Sequence, residues 1–196
     1  MRNNKVRDLW AKGEEAITGW LAVPSSISAE LMAQQGWDAL TIDLQHGACD
    51  YVDALPMLQA ISITETAPFV RVPWNDPAII GKVLDAGAYG VICPMINTAE
   101  EAQAFVHACR YYPKGGRSVG PLRASLYAGA DYFQHANDTV ITMAMIESDQ
   151  AVKNLEDILK TPSLDAIFVG PSDLAVSMGE KPGFDPRYPA VYEAIE

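Results

Sequence analysis

Short apolar runs recur along the chain, each closed by Gly, Pro or Asp: ITGWLAV (17–23), ALTIDL (39–44), APFVRV (67–72), GVICPMI (90–96), ITMAMIE (141–147) and AIFVGP (166–171). They are continuously apolar rather than alternating, the pattern of strands buried on both faces. The segments between them carry helical spacing with defined ends. Asp76-Pro77 supplies an N-cap followed by proline at the first helical position, and Gly87 closes that segment. Thr98 and Glu101 stand at capping-box spacing ahead of AQAFVHACRY, and SDQAVKNLEDILKTP starts on Ser148 and stops at Pro162. This alternation of strand and helix predicts βαβ units and a parallel sheet.

Three helix-to-strand joints share wording: GWDALTID, GAYGVICP and LDAIFVGP. Such a weak repeat suits a (β/α)8 TIM barrel and also a doubly wound sheet. No G-x-G-x-x-G or G-x-x-x-x-G-K-[ST] follows any strand, which favours the barrel. The count falls short, because eight strands take about 250 residues, whereas this chain has 196 and ends on YPAVYEAIE, which reads as a helix. The expectation is a single domain over 1–196, a barrel truncated after six βα units, either a fragment or completed by another copy. The segment 113–140 is long for a connection and is expected to be a lid or an interface segment rather than core.

Composition narrows the class. Apolar residues at 49% and charged residues at 20% suit one globular domain. A net charge of −11 disfavours nucleic acid and anionic membranes as partners. A small anionic substrate stays compatible, since a local Arg or a bound cation can dominate a pocket. Three cysteines without a C-x-x-C spacing argue against a disulfide framework and a zinc site, and for reduced thiols in the cytoplasm. The stretch MRNNKVRDLWAKGEEA has no apolar signal-like core, and no window reaches the ~18 apolar residues of a membrane span.

In a parallel barrel the functional residues gather at the carboxyl ends of the strands. Here strand 2 ends in Asp43, Gln45 and His46, strand 3 in Arg71, strand 5 in Glu147, and strand 6 in the turn Gly170-Pro171-Ser172-Asp173. Singly, each has a structural reading: a loop histidine, an ion-pair arginine, carboxylates favourable at helix N-termini. Together they suggest chemistry. Asp43 could orient the His46 imidazole and raise its basicity. Two carboxylates such as Glu147 and Asp173 tolerate one another by sharing a proton or a cation. Mg²⁺ or Mn²⁺, completed by water and substrate, is the natural cation. His107 and His135 read as structural, and Met143 and Met145 as core or pocket wall.

The segments IDLQHG, FVRVPWNDP, LDAGAYGVICPM, KGGRSVGP, MIESDQAVKNL and IFVGPSDLAVSMG, with Glu147 placed 26 residues before Asp173, together resemble the HpcH/HpaI family of metal-dependent hydroxy-oxo-acid aldolases. The resemblance implies a (β/α)8 barrel of the pyruvate/phosphoenolpyruvate superfamily and a divalent metal (Mg²⁺ or Mn²⁺, with Co²⁺ as a further option) on Glu147 and Asp173. It implies that pyruvate is the enolate donor, its carboxylate held by the turn of Gly170, Pro171, Ser172 and Asp173. Arg71 would stabilise charge on the keto oxygen. His46, oriented by Asp43, would be the base that takes the C4 hydroxyl proton of a 4-hydroxy-2-oxo acid as it splits into pyruvate and an aldehyde. Gln45, Met145 and Arg123 are candidate aldehyde contacts. Several family members place Gln at the position of Met145, and others Glu at that of Gln45, so the aldehyde preference is where this chain departs. Lys82, Lys114, Lys153 and Lys160 fall in helices or loops, which disfavours an imine-forming aldolase. The family also implies a homo-oligomer, a hexamer in its full-length members. Two other readings are a citryl- or malyl-thioester lyase of the same superfamily, to whose basic CoA surface the charge lends little support, and an inactive truncated chain serving as an interaction partner.

Overall fold

All six apolar runs become strands: β1 (Thr18–Leu21), β2 (Ala39–Asp43), β3 (Ala67–Arg71), β4 (Gly90–Cys93), β5 (Ile141–Ile146) and β6 (Ala166–Val169). The computed structural model describes residues 1–183, 185 and 187–196. Each strand ends one to three residues before its apolar run does, because the last residues turn into the loops of the carboxyl rim. Between and around the strands lie α1 (Lys5–Ala11), α2 (Ser26–Ala33), α3 (Tyr51–Ile61), α4 (Pro77–Asp85), α5 (Ala99–Cys109), α6 (Leu122–Ala128) and α7 (Tyr132–Thr139). After β5 come α8 (Asp149–Lys153) and α9 (Leu155–Leu159), and after β6 come α10 (Pro171–Ser177) and α11 (Pro189–Ile195). The expected caps form, with Asp76 accepting from the Ala78 amide at α4 and a reciprocal Thr98–Glu101 capping box at α5. The helix expected from Ser148 onward is broken at Asn154, whose side chain leaves to donate to the Asn97 carbonyl.

The strands lie in the order β1-β2-β3-β4-β5-β6, every pair parallel. Order following sequence without reversal is barrel winding, and it removes the doubly wound alternative. The sheet curls until the inward rings of Trp20 on β1 and Phe168 on β6, its two outermost strands, stand 5.7 Å apart. The result is a curled half-barrel of six strands. Outward residues such as Leu40, Ile42, Val70, Val91 and Ala144 are buried under α2 to α5 in one continuous core. Phe69 fills the inner space because its neighbour is Gly90, where a Cβ would lie 2.6 Å from the ring. No described helix is long and apolar enough to cross a membrane.

The amino ends of the strands are sealed. Val6 of α1 packs with Ala39, Ala67, Phe69 and Ile141, and the Asn4 side chain donates to the Tyr89 and Thr139 carbonyls. Arg110, 1% exposed, donates to Asp165 (2.6 Å) and to the Val140 and Ser163 carbonyls. The 113–140 segment belongs to this end and contributes to the core, which corrects its reading as a lid outside it. Ala124, Ala128, Tyr132 and Ala136 are buried with Tyr89 and Tyr111, and β5 leaves α7 by hydrogen bonding its Ile141 amide to the Tyr89 carbonyl. Arg123 is corrected with it. Its guanidinium donates to the carbonyls of Leu58 and Ala86 and to Ser62 Oγ, at the C-terminal ends of α3 and α4. Those ends leave carbonyls unpaired within the helix, and a cation there satisfies them. Arg123 therefore lies at the face opposite the carboxyl rim and cannot contact an aldehyde bound there.

Candidate active site

Asp43 and Arg71 are register partners on β2 and β3, so both side chains leave the sheet on the same inward side at the same height. They form a two-pronged pair, Arg71 Nε to Oδ1 at 2.9 Å and Nη2 to Oδ2 at 2.6 Å. Trp20 Nε1 adds a bond to Oδ2 at 3.1 Å, and its ring lies 4.9 Å beneath the Arg71 guanidinium. The amides of Gln45 and His46 both donate to Oδ1. Burial works to raise the pKa of Asp43, but the bonds from Arg71, Trp20 and the His46 amide outweigh it and hold the carboxyl at about 2.

This geometry corrects the role expected of Asp43. Its oxygens are taken by Arg71, Trp20 and two backbone amides, and no hydrogen bond joins it to the His46 imidazole among the described residues. Asp43 shapes the turn that presents His46 through the backbone and fixes Arg71 directly. The imidazole itself is exposed. Two of the five guanidinium donors of Arg71 are committed to Asp43, which leaves the others for a ligand.

Glu147, just past β5, is 2% exposed. Its Oε1 accepts the Met95 amide at 2.7 Å, while Oε2 lies over Gly170, where a Cβ would stand 2.5 Å away. Any side chain at position 170 would displace the carboxylate. Burial lifts the Glu147 pKa above its ordinary value and the charge of Asp173 adds to that, against the Met95 amide and the nearby Arg71. Glu147, Asp173, Arg71 and His46 all lie at the carboxyl ends of strands of this sheet, on one rim. Asp173 sits in the first turn of α10, whose start has no side-chain cap, and Ser172 Oγ donates to the Gly183 carbonyl at 2.6 Å. Pro171 opens that helix after Gly170.

Of the other sequence candidates, Met145 is 2% exposed and lies two residues below Glu147 on the same inward face. Gln45 keeps a buried Oε1 without a hydrogen-bond partner. Among the lysines, Lys82 lies over the Tyr51 ring, and Lys114, Lys153 and Lys160 pair with Asp138, Asp149 and Asp157. Sequence reading assigns nothing to the ends of strands 1 and 4, where the structure places Trp20 and Met95. Trp20 becomes visible only once β1 is registered on β2, which puts it on the Asp43 side of the sheet.

The donor set suits a hard divalent cation. Glu147 and Asp173 offer carboxylate oxygens only, and Glu147 has one oxygen tied and the other turned toward Gly170. No group of three or more His, Cys, Asp or Glu side chains converges among the described residues. A cation here would take two protein carboxylates, with water and substrate at the other positions, as Mg²⁺ does.

The chain is 45% identical over 192 residues to a hydroxypyruvate/pyruvate aldolase of Rhizorhabdus wittichii, covering 98% of this chain and 76% of that one. It is 42% identical over 197 residues to a 4-hydroxy-2-oxo-heptane-1,7-dioate aldolase of Klebsiella pneumoniae, covering 99% and 74%. The crystal structure of an HpcH/HpaI aldolase/citrate lyase family protein from Burkholderia cenocepacia superposes with a TM-score of 0.90 at 36% identity, covering 98% of this chain and 78% of that one. The sequence profile of the family itself matches residues 17–196. With the rim carboxylates, the parallel winding and these likenesses in agreement, the chain belongs to the HpcH/HpaI aldolase/citrate lyase family.

Proposed function

We propose that the protein is a divalent-metal-dependent aldolase that cleaves or forms 4-hydroxy-2-oxo acids, with pyruvate as the enolate partner and an aldehyde as the other. The observation that carries this reading is the buried Glu147 beside Asp173 and Arg71, one oxygen held by the Met95 amide and the other uncommitted. Relatives named as aldolases support it.

Mg²⁺ or Mn²⁺ held by Glu147 and Asp173, with Co²⁺ a further option, would supply Lewis acidity at the keto group. The chain's own residues do the rest. Arg71, locked by Asp43, presents its remaining N–H groups to the oxygen on which negative charge develops when the pyruvate methyl loses a proton. His46, exposed and free of Asp43, takes that proton. In the cleavage direction it takes the proton of the C4 hydroxyl, the C3–C4 bond breaks with its electron pair passing into the pyruvate enolate, the aldehyde leaves, and His46 returns the proton to C3 to give pyruvate. The turn from Gly170 to Asp173 carries the substrate carboxylate, since the first amides of α10 have no side-chain cap. Gln45 and Met145 lie where they bear on the choice of aldehyde. The same reading includes self-association, for which Leu122 and Leu126 on α6, both 81% exposed, offer an apolar face.

The test is deuterium incorporation into the methyl group of pyruvate, with EDTA and then with added Mg²⁺ or Mn²⁺. Exchange should require the metal and fall at least about 100-fold in His46→Ala and in Glu147→Ala. Metal-loaded, folded protein that exchanges nothing, or exchange indifferent to EDTA, overturns the proposal.

A further inference from the structure

The loop after β4 holds an arrangement that the reaction as described does not use. Met95 is one of two described residues other than glycine with positive φ, at 54°. A residue with a Cβ does not choose that region unaided. Its amide is nonetheless aimed at Glu147 Oε1. Asn97 accounts for the conformation. Its Nδ2 donates to the Met95 carbonyl at 2.9 Å, closing the turn, and its Oδ1 accepts from the hydroxyl of Ser148, the residue after Glu147. The Asn97 backbone is pinned as well, its amide donating to Glu101 Oε2 at 2.6 Å and its carbonyl accepting from Asn154 Nδ2 at 2.8 Å. One side chain therefore laces the loop that supplies the Met95 amide to the strand end that supplies Glu147.

We infer that Asn97 is a positioning residue for the divalent cation. By holding Met95 in its left-handed turn it fixes Glu147 Oε1 on the Met95 amide and leaves Oε2 turned toward Gly170 and available to the metal. The inference rests on the metal-dependent reading above. Partners that orient a metal ligand without touching the metal typically govern affinity about 10- to 100-fold. Without the Asn97 side chain, Met95 can relax to negative φ, its amide swings away, and Glu147 loses the contact that sets its rotation. The backbone bonds to Glu101 and Asn154 persist, so the loop stays in place while the carboxylate is freed.

The experiment is a Mn²⁺ titration of the full chain followed by electron paramagnetic resonance, with Asn97→Ala beside the parent and melting curves of both in EDTA and in saturating Mn²⁺. The expected result is Mn²⁺ affinity weakened about 10- to 100-fold in the variant, a smaller metal-induced rise in melting temperature, and a metal-free melting temperature close to that of the parent. A purely structural asparagine would lower both melting curves equally and leave the affinity alone; that result overturns the inference while leaving the aldolase reading intact. A parent chain that binds no Mn²⁺ overturns both. If Asn97→Ala does not fold, Asn97→Ser, too short to reach Met95 and Ser148 at once, is read by the same criteria.

Discussion

At the amino ends of β5 and β6 the Arg110 side chain is 1% exposed and its partner Asp165 16%, while at the carboxyl ends of β2 and β3 Asp43 is 4% exposed and its partner Arg71 12%. The two arginine–aspartate pairs share one sheet and the same N–O distance of 2.6 Å, yet opposite members are sealed. Arg110 also donates to two backbone carbonyls and approaches Thr142 Oγ1, and Asp165 takes a second arginine, Arg7. The two terminal nitrogens of Arg110 are engaged in holding loops together, and its buried Nε meets no acceptor among the described residues. Among the described residues the Arg71 guanidinium bonds only to the Asp43 carboxylate and lies on the Trp20 ring, and the acid is the saturated partner. A pair that seals its cation braces a fold, whereas a pair that seals its acid holds a cation out to a ligand. The difference between the two ends of the sheet lies in which partner the backbone surrounds.

Substituting each arginine by methionine tests that contrast most severely. Arg110→Met takes from Asp165 one of its two arginines and from the Val140 and Ser163 carbonyls one of two donors each, Arg7 and Thr142 Oγ1 remaining, and should cost about 1.5–3 kcal/mol in urea unfolding, a large share of a domain's usual stability of about 5–15 kcal/mol. The protein that remains folded should exchange pyruvate protons at close to the parent rate. Arg71→Met should lower exchange about 100- to 1000-fold and also destabilise the fold, because it strips the 4%-exposed Asp43 of its cation. If Arg71→Met exchanges at close to the parent rate, the rim pair is a brace like the other and its open donors are incidental.

A smaller effect separates the acids. Asp43 titrates at about 2 in the folded protein and at about 3.9 when unfolded. A folded-state value below the unfolded one means that its contribution is fully present above about pH 4 and is lost as the pH falls through about 2. The parent should exceed Asp43→Asn in urea midpoint at pH 7 and pH 4, and the gap should close near pH 2. A gap that stays constant down to pH 2 would assign the advantage to side-chain shape rather than charge.

The two ends were also unequally legible in the sequence. Strands and caps could be read because their signals are local: an apolar run, Asp76 before Pro77, Thr98 three residues before Glu101. The rim residues could be located because each follows directly on such a run. Their partnerships could not. The Asp43–Arg71 pair depends on the register of β2 against β3, and with two amides and Trp20 competing for the same oxygens, the nearby imidazole is left out. Met95 has a conformation that nothing in its own side chain favours; it is imposed by Asn97 two residues on. At the amino end, α6 and α7 bury Ala124, Ala128, Tyr132 and Ala136, a four-residue spacing of mostly small side chains interrupted by Gly129. Alanines register weakly as an apolar face, so the segment read as a lid or interface segment and Arg123 as a candidate aldehyde contact.

Trp20 offers the finest test of how the rim pair is held. It acts on Asp43 through one N–H and on Arg71 through its ring face, and these can be separated. Trp20→Phe keeps an aromatic face under the guanidinium but removes a donor from a carboxylate that still has four others, two from Arg71 and two from the backbone. One hydrogen bond to a charged group contributes about 1.5–3 kcal/mol when deleted outright, and with four donors remaining the loss should be at the low end, about a 10-fold slowing of proton exchange. Trp20→Leu removes the ring as well, forfeiting a further cation–π contribution of about 0.5–1 kcal/mol and the contact with Phe168 that joins the two outermost strands. It should therefore slow exchange more than phenylalanine does and also lower the melting temperature. Phenylalanine matching the parent while leucine fails would assign the role to the ring alone. Equal slowing in both, with no change in melting, would assign it to the bond on Asp43, and the rim pair would then depend on its acid being saturated, as the contrast with Arg110 requires.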